Sequence, residues 1–339
     1  MFYTILLIIG CIILLMIVGC IIFLNTGLKL PAETDHLIKE IIDTPDSLPE
    51  FVTGQTGYAK NNGVSIWYEL INNETTNKGT VLLVGGLSTT AMYWQPYIYE
   101  PFLNAGYQVI RFDQRNAGMS DWLETKSSLE DMAKDAIAIL DQLNINKVHL
   151  VGMSMGGMIS QRLAISHSER ILSLTSVMST GYFHDPALTQ VPKSFISNLW
   201  RFGLRHRNLK KMENKMKLHL SIQRLLTGDG GYFFDNKKML QKIYYEITKR
   251  KGYNPKATNR HGYSIKKSGS RYEELKELSL PTLVIHGTTD PLILFEHAEK
   301  YAEMIPNSTK LFIKGMGHDF PRVHMDKMIV AIFENFEKA

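Results

Sequence analysis

Short apolar runs alternate with amphipathic stretches along most of the chain. Six runs of strand length are bounded by glycine-rich or polar residues: Val81–Val84, Tyr107–Arg111, Val148–Val151, Ile171–Met178, Leu283–Gly287 and Lys310–Ile313. Continuous apolar strands separated by helices are typical of a parallel sheet that is covered by helices on both faces. We therefore predict an α/β fold with a mostly parallel central sheet, and the roughly 280 residues after the first 56 suffice for one large core.

Two local patterns add detail to this prediction. Residues 57–60 and 64–68 read as strands joined by Asn61-Asn62-Gly63, which favours a hairpin. Residues 128–140 have helical periodicity, with Ser128 placed to cap the helix and Asp131 three residues on.

A serine lies at a predicted strand-to-helix corner. Gly152-Met153-Ser154-Met155-Gly156 follows the apolar run Val148–Val151 and precedes a helix-like segment. Small residues on either side allow a tight turn that lifts the hydroxyl clear of the sheet, as in a nucleophile elbow. Ser154 is therefore a candidate nucleophile.

A carboxylate and an imidazole follow two later strands. Asp290 comes after the run Leu283–Gly287, and His318 comes after Lys310–Ile313 and a glycine-rich turn. A serine hydroxyl needs a base to take its proton, and an imidazole with a pKa near neutrality suits that role. A carboxylate orients the imidazole and favours its cationic form. We therefore predict Ser154 as nucleophile, His318 as base and Asp290 as its orienting acid.

The order Ser154, Asp290, His318 resembles the α/β-hydrolases of the serine esterase and lipase type. Gly85-Gly86-Leu87 after the third strand and the stretch Asp113–Ser120 extend the resemblance, which covers residues 57–339. It implies an oxyanion hole formed by the backbone N–H groups of Met155 and Leu87. It also implies that Asp113 and Arg115 order a loop beside the site.

Other residues compete for these roles. Asp185 and Asp319 are alternative acids, because some lipases of the family carry the acid after the strand that precedes Asp185. His286 and His324 are alternative bases, although neither follows a strand through a glycine-rich turn. We expect His286 to be structural.

About a hundred helical, loop-rich residues separate the sixth and seventh predicted strands, where this family inserts a cap. Residues 192–272 contain 20 Lys and Arg against 4 Asp and Glu, whereas the whole chain has a formal net charge of only +5. A localised basic surface suits anionic lipid headgroups or acidic substrates, or is simply a solvated helical surface. We do not expect nucleic acid as a partner.

The N-terminus is predicted to anchor the chain in a membrane. Phe2–Leu24 is 23 residues without a charge, which as a helix spans roughly 34 Å. A lipoprotein signal ending at Cys20 is an alternative, although no Lys or Arg precedes the apolar segment. Lys29 and Lys39 favour, weakly, a cytoplasmic catalytic domain. The predicted units are a transmembrane anchor, a tether, a hydrolase core in two parts and a helical cap: 1–25, 26–56, 57–181 with 271–339, and 182–270.

Composition limits the other chemistry. The only cysteines, Cys11 and Cys20, lie in the apolar segment, and no phosphate loop or His-Glu-x-x-His pattern occurs. We expect no metal and no cofactor. The predicted function is a single-pass, membrane-anchored serine hydrolase of acyl or lipid esters. A catalytically silent scaffold and a cofactor-free haloperoxidase-like relative are the alternatives.

Overall fold

The computed structural model describes residues 16, 18–19, 22–72, 78–228, 230, 232 and 234–339. Within these ranges the chain forms an eight-stranded sheet with the order β1-β2-β4-β3-β5-β6-β7-β8. The strands are β1 Gln55–Asn61, β2 Val64–Ile71, β3 Gly79–Val84, β4 Tyr107–Phe112, β5 Val148–Met153, β6 Ile171–Val177, β7 Thr282–Gly287 and β8 Thr309–Ile313.

The pairing is parallel from β4 to β8 and antiparallel at one edge. β1 pairs with β2 and β2 with β4 in antiparallel register, and the other pairs are parallel. The mostly parallel sheet and the hairpin at Asn61-Asn62-Gly63 are thus confirmed. Parallel strands place their carboxyl ends at one edge, which is where ligands bind in such sheets.

Eleven helices accompany the sheet in the described ranges. They are α1 Thr34–Asp43, α2 Pro96–Asn104, α3 Leu129–Gln142, α4 Met155–Ser166, α5 Lys193–Arg205, α6 Met212–Leu226, α7 Asn236–Lys249, α8 Ala257–Ser268, α9 Tyr272–Lys276, α10 Phe295–Met304 and α11 Met325–Phe336. The predicted capping box of α3 is confirmed, since Ser128 and Asp131 exchange hydrogen bonds at its start.

Alternating side chains of the strands supply two cores, one on each face. Leu82 and Val84 of β3 pack with α3, α4 and α10, whereas Val81 and Leu83 pack with α2 and α11. All four are fully buried. Helices on both faces explain why these strands are apolar without a break.

Four helices, α5–α8, lie between β6 and β7 and have an apolar core of their own. Met216 and Leu220 of α6 pack there with Leu240 and Ile243 of α7. Helix α1, in the segment predicted as a tether, buries Ile38 and Ile41 in the same core. The 26–56 segment is therefore packed against these helices over α1.

The predicted membrane span, Phe2–Leu24, falls mostly outside the described residues. Among the residues that are described, no helix is both long and apolar enough to cross a bilayer.

Candidate active site

Ser154 stands at the corner between β5 and α4 in a strained backbone conformation. Its φ is +56° and its ψ −124°, a combination that few residues with a side chain adopt. A Cβ on Gly156 would lie 2.0 Å from the Val84 carbonyl oxygen, and one on Gly152 would lie 2.3 Å from Ser160 Oγ. Only glycine fits at both positions, which is why the sequence places glycines two residues before and after the serine.

The elbow is fixed by its own backbone. The N–H of Ser154 donates to the Val177 carbonyl at 2.9 Å, and Ser179 Oγ donates to the Ser154 carbonyl at 2.7 Å. The serine is 6% exposed. Strain that is held by surrounding contacts in this way is typical of preorganised sites.

Asp290 and His318 follow β7 and β8 and are joined by a hydrogen bond. His318 Nδ1 lies 2.7 Å from Asp290 Oδ2. With the carboxylate ionised, Nδ1 carries the proton and Nε2 keeps a free lone pair, as a general base requires. The other carboxylate oxygen, Oδ1, accepts from the N–H groups of Leu292 and Ile293 at 2.8 and 2.9 Å.

The environment of Asp290 keeps it ionised. Burial opposes ionisation, but the charge and hydrogen bond of His318, together with His286 and the Leu292 N–H, outweigh it and lower the pKa of Asp290. The buried His286 donates through Nε2 to the Ile293 carbonyl at 2.8 Å and lies 3.5 Å from Asp290 Oδ2. Its position is that of a residue that supports Asp290.

The alternative acid Asp185 and the alternative base His324 have other partners. Asp185 Oδ2 accepts from Tyr272 at 2.8 Å and from Lys300 at 2.6 Å. His324 Nε2 lies 2.8 Å from the hydroxyl of Tyr232. The structure brings neither residue to the other members of the predicted triad, whereas it joins Asp290 to His318.

Asp319 lies beside His318 and has a perturbed pKa. Its Oδ1 is buried without a hydrogen-bond partner. Burial raises the pKa of Asp319 to about 7, and the charge of Asp290 adds to this, while His318 opposes it. Asp319 lines a cavity of about 80 Å³ together with Tyr93, Tyr97 and Lys242. Ser154 is not in the wall of this cavity, which lies on the His318 side of the site.

The two predicted oxyanion donors lie on either side of the serine. Met155 is the first residue of α4, so its N–H has no acceptor within the helix. Leu87 follows Gly86, where a Cβ would lie 3.2 Å from Ser154 Cβ. The absence of a side chain at Gly86 thus allows the loop after β3 to approach the serine closely.

A histidine of the inserted helices holds this loop. His261 of α8 accepts through Nδ1 from the Ser88 N–H at 3.0 Å, and its Nε2 lies 2.8 Å from the Arg115 carbonyl. Burial lowers the pKa of His261 to about 4, so the ring is neutral near pH 7 and Nε2 is the donor. His261 thereby connects the residue after Leu87 to the loop after β4.

Two buried ion pairs join the inserted helices to the core. Arg250 donates to Asp113 at 2.7 Å, and Lys242 lies 3.4 Å from Glu246. Glu246 also accepts from the hydroxyls of Thr90 and Tyr253. Part of the positive charge of the cap is therefore internal.

The predicted loop-ordering role of Asp113 and Arg115 agrees with their contacts. Asp113 accepts from the N–H groups of Ala91 and Met119, and Arg115 makes a 2.6 Å ion pair with Asp135. Sequence reasoning missed His261, Arg250 and Glu246, because a single polar residue in a basic helical segment carries no local signal of a distant partner. In the described ranges, no group of three His, Cys, Asp or Glu side chains is arranged to bind a metal ion.

A family model described as an alpha/beta hydrolase fold matches residues 79–321. Rhodomycin D methylesterase DauP of Streptomyces sp. (strain C5) is 27% identical over 284 residues, covering 79% of this chain and 94% of its own. 3-Oxoadipate enol-lactonase 1 of Acinetobacter baylyi is 25% identical over 270 residues, covering 79% and 91%.

Solved structures resemble the fold. A bromoperoxidase from Bacillus anthracis superposes with a TM-score of 0.66 at 23% identity, over 84% of this chain and 100% of its own. At this identity the likeness concerns the fold alone.

Proposed function

The chain belongs to the α/β-hydrolase fold family, and we propose that it is a serine hydrolase that cleaves carboxylic esters through an acyl-Ser154 intermediate. The hydrogen bond between His318 Nδ1 and Asp290 Oδ2, at the same sheet edge as the strained Ser154, is the observation that carries this proposal. Similarity to a methylesterase and an enol-lactonase supports ester or lactone cleavage.

In acylation, Ser154 Oγ attacks the ester carbonyl carbon and its proton passes to His318 Nε2. The carbonyl oxygen becomes an oxyanion that the Met155 and Leu87 N–H groups stabilise. Asp290 stabilises the imidazolium. The tetrahedral intermediate then expels the alcohol, which takes the proton from His318 Nε2, and an ester bond to Ser154 remains.

Deacylation repeats these steps with water. His318 removes a proton from the water molecule, whose oxygen attacks the acyl carbon and forms a second oxyanion in the same hole. Collapse of this intermediate breaks the bond to Ser154 Oγ, which recovers the proton from His318. The products are a carboxylic acid and free enzyme.

The substrate class we propose is a small-molecule ester, with acyl lipids as the finer alternative predicted from the sequence. The small cavity beside His318 supports the first, because at about 80 Å³ it holds only a small group. Tyr93, Tyr97 and Lys242 in its wall suit a substrate portion that forms hydrogen bonds.

Turnover of a series of p-nitrophenyl esters from acetate to dodecanoate, alongside phospholipid and acylglycerol vesicles, tests this choice. We expect the highest kcat/KM on short esters. An optimum on long chains that rises at a lipid surface would replace the small-ester class by the lipid class. Absence of turnover on every ester by the folded protein would contradict the hydrolase proposal and favour a binding role.

We also propose, from the uncharged segment Phe2–Leu24, that the chain is anchored in a membrane by a single helix. Retention of the full chain in the membrane fraction after carbonate washing supports this. Its release by carbonate would contradict the anchor.

A further inference from the structure

Helix α5, Lys193–Arg205, exposes a stripe of large apolar side chains. Ile196, Trp200 and Leu204 recur every fourth residue and are 42%, 70% and 43% exposed. Residues four apart lie on one side of a helix, so the three side chains form one continuous surface about two turns long. Contiguous apolar surface of this kind marks an interaction site.

The packing of α5 does not account for this stripe. The helix already buries other apolar side chains, Phe195 and Phe202, which are 5% and 1% exposed. The stripe therefore lies on the side of α5 that faces away from these buried residues. A helix that needs only to pack against its own domain is polar on that side.

Positive charge surrounds the stripe. Residues 193–211 contain six Lys and Arg and no Asp or Glu. Lys193 precedes the stripe by one turn, Arg207 follows it, and both are exposed, as are Lys210 and Lys211. Apolar residues including a tryptophan, bordered by cations, are typical of a helix that lies in the interface of an anionic membrane.

The same helix holds the end of the apolar N-terminal segment. Residues 22–25 are helical, and Arg201 Nε and Arg205 Nε donate to the carbonyls of Phe23 and Leu24 at 2.7 Å each. These carbonyls end a helix and have no acceptor role within it, so the guanidinium groups satisfy them.

The fit at this junction is close. The Arg201 guanidinium carbon lies 4.3 Å from the centre of the Phe23 ring. Gly27 has a φ of +77°, and a Cβ there would lie 2.3 Å from Arg201 Nη1. Val18 and Ile22, on the described end of the apolar segment, are 43% and 57% exposed. Exposed apolar surface therefore occurs on both elements that meet at Arg201 and Arg205.

We propose that α5 is a membrane-surface helix that lies on an anionic lipid leaflet, with Ile196, Trp200 and Leu204 at the boundary between headgroups and acyl chains. Lys193 and Arg207 contact the lipid phosphates. The contacts of Arg201 and Arg205 place α5 where the apolar N-terminal segment leaves the bilayer. This inference does not rest on the proposed esterase function, because none of these residues is in the candidate active site.

Tryptophan quenching by brominated lipids tests the proposal on the full chain reconstituted in vesicles. The chain has four tryptophans, of which Trp67 and Trp94 are buried, whereas Trp122 and Trp200 are exposed. Bromine on an acyl chain quenches a tryptophan that touches it. In phosphatidylcholine vesicles containing phosphatidylglycerol, we expect quenching that is lost in Trp200→Phe and retained in the matched control Trp122→Phe.

Three results would overturn the proposal. They are quenching in Trp200→Phe equal to that of the unaltered chain, failure of the chain to associate with vesicles, and a dimer in sedimentation experiments that Leu204→Ser dissociates. The last result would assign the stripe to a second copy of the chain. Equal quenching with and without phosphatidylglycerol would contradict the role of the anionic lipid. Ester turnover, measured on the same samples, reports separately on the proposed function.

Discussion

Arg250, directly after α7, donates to Asp113 Oδ2 at 2.7 Å across 137 positions of the chain. Both side chains are almost fully buried, and the guanidinium carbon lies 3.9 Å from the centre of the Trp67 ring. Asp113 also accepts from the N–H groups of Ala91 and Met119. One carboxylate thus connects the inserted helices to two loops that follow the strands β3 and β4.

Removal of Arg250 should destabilise the fold because Asp113 would remain as a buried, uncompensated charge. For Arg250→Met we expect the free energy of unfolding to fall by about 3–5 kcal/mol, the usual cost of breaking a buried pair. Urea denaturation monitored by circular dichroism measures this. The control is Lys256→Met, which removes an exposed pair with Glu124 and should cost about 0–1 kcal/mol. Equal losses in the two variants would contradict a special role for the buried pair.

Asp290→Asn should lower kcat by about three to four orders of magnitude with little change in KM, because the amide no longer holds His318 in the required tautomer. Steady-state hydrolysis of a short p-nitrophenyl ester measures both constants. Asp185→Asn is the matched control, since Asp185 bonds to Tyr272 and Lys300 instead. A large loss in Asp185→Asn with near-normal turnover in Asp290→Asn would transfer the acid role to Asp185.

The sequence was sufficient to predict the residues at strand ends, because their signal is local. An apolar run, a turn and a polar side chain identify Ser154, Asp290 and His318, and parallel strands then bring the three to one edge of the sheet. Arg250 and His261 carry no such signal. Their partners lie in loops more than a hundred residues away, and only the packing of α7 and α8 on the core brings them together.

The region before the core shows the same limit. Residues 26–56 read as a tether because their apolar residues are few and prolines interrupt them. The structure nevertheless buries Ile38 and Ile41 against Met216 and Leu240. A ten-residue helix gains most of its stability from such tertiary contacts, which a local pattern does not specify.

His261→Phe should lower kcat by about 10²-fold, because it removes the acceptor for the Ser88 N–H and loosens the loop that carries Leu87. The control is His219→Phe. His219 is another histidine of the inserted helices whose pKa burial lowers to about 4, but it stacks on Tyr253 at 3.5 Å instead of contacting this loop. Kinetics with a short ester and unfolding free energies, measured on both variants, separate positioning from stability. Equal kcat in the two variants would contradict a positioning role.

Asp319 should make stability depend on pH in a defined window. Because its pKa is raised from 3.8 to about 7, the folded protein holds this proton more tightly than the unfolded chain. Asp319 therefore contributes a loss of stability as the pH rises from about 4 to about 7. Asp319→Asn does not titrate, so the unfolding free energy of this variant relative to the unaltered protein should increase across that window and then level off.

Urea denaturation of both proteins at several pH values measures this difference. Asp319→Glu, which keeps a titratable carboxyl group, is the control and should show a smaller pH dependence of the difference. A difference between Asp319→Asn and the unaltered protein that is constant from pH 4 to pH 7 would contradict a raised pKa at this position.

Reaction with a fluorophosphonate, followed by mass mapping of the modified residue, tests the assignment of Ser154 most directly. We expect the unaltered chain to be modified at Ser154, the reaction to be abolished in Ser154→Ala and strongly slowed in His318→Ala, and Ser166→Ala, at the exposed end of the same helix, to react normally. Failure of the folded, unaltered chain to react, or undiminished labelling of Ser154→Ala, would contradict Ser154 as the nucleophile.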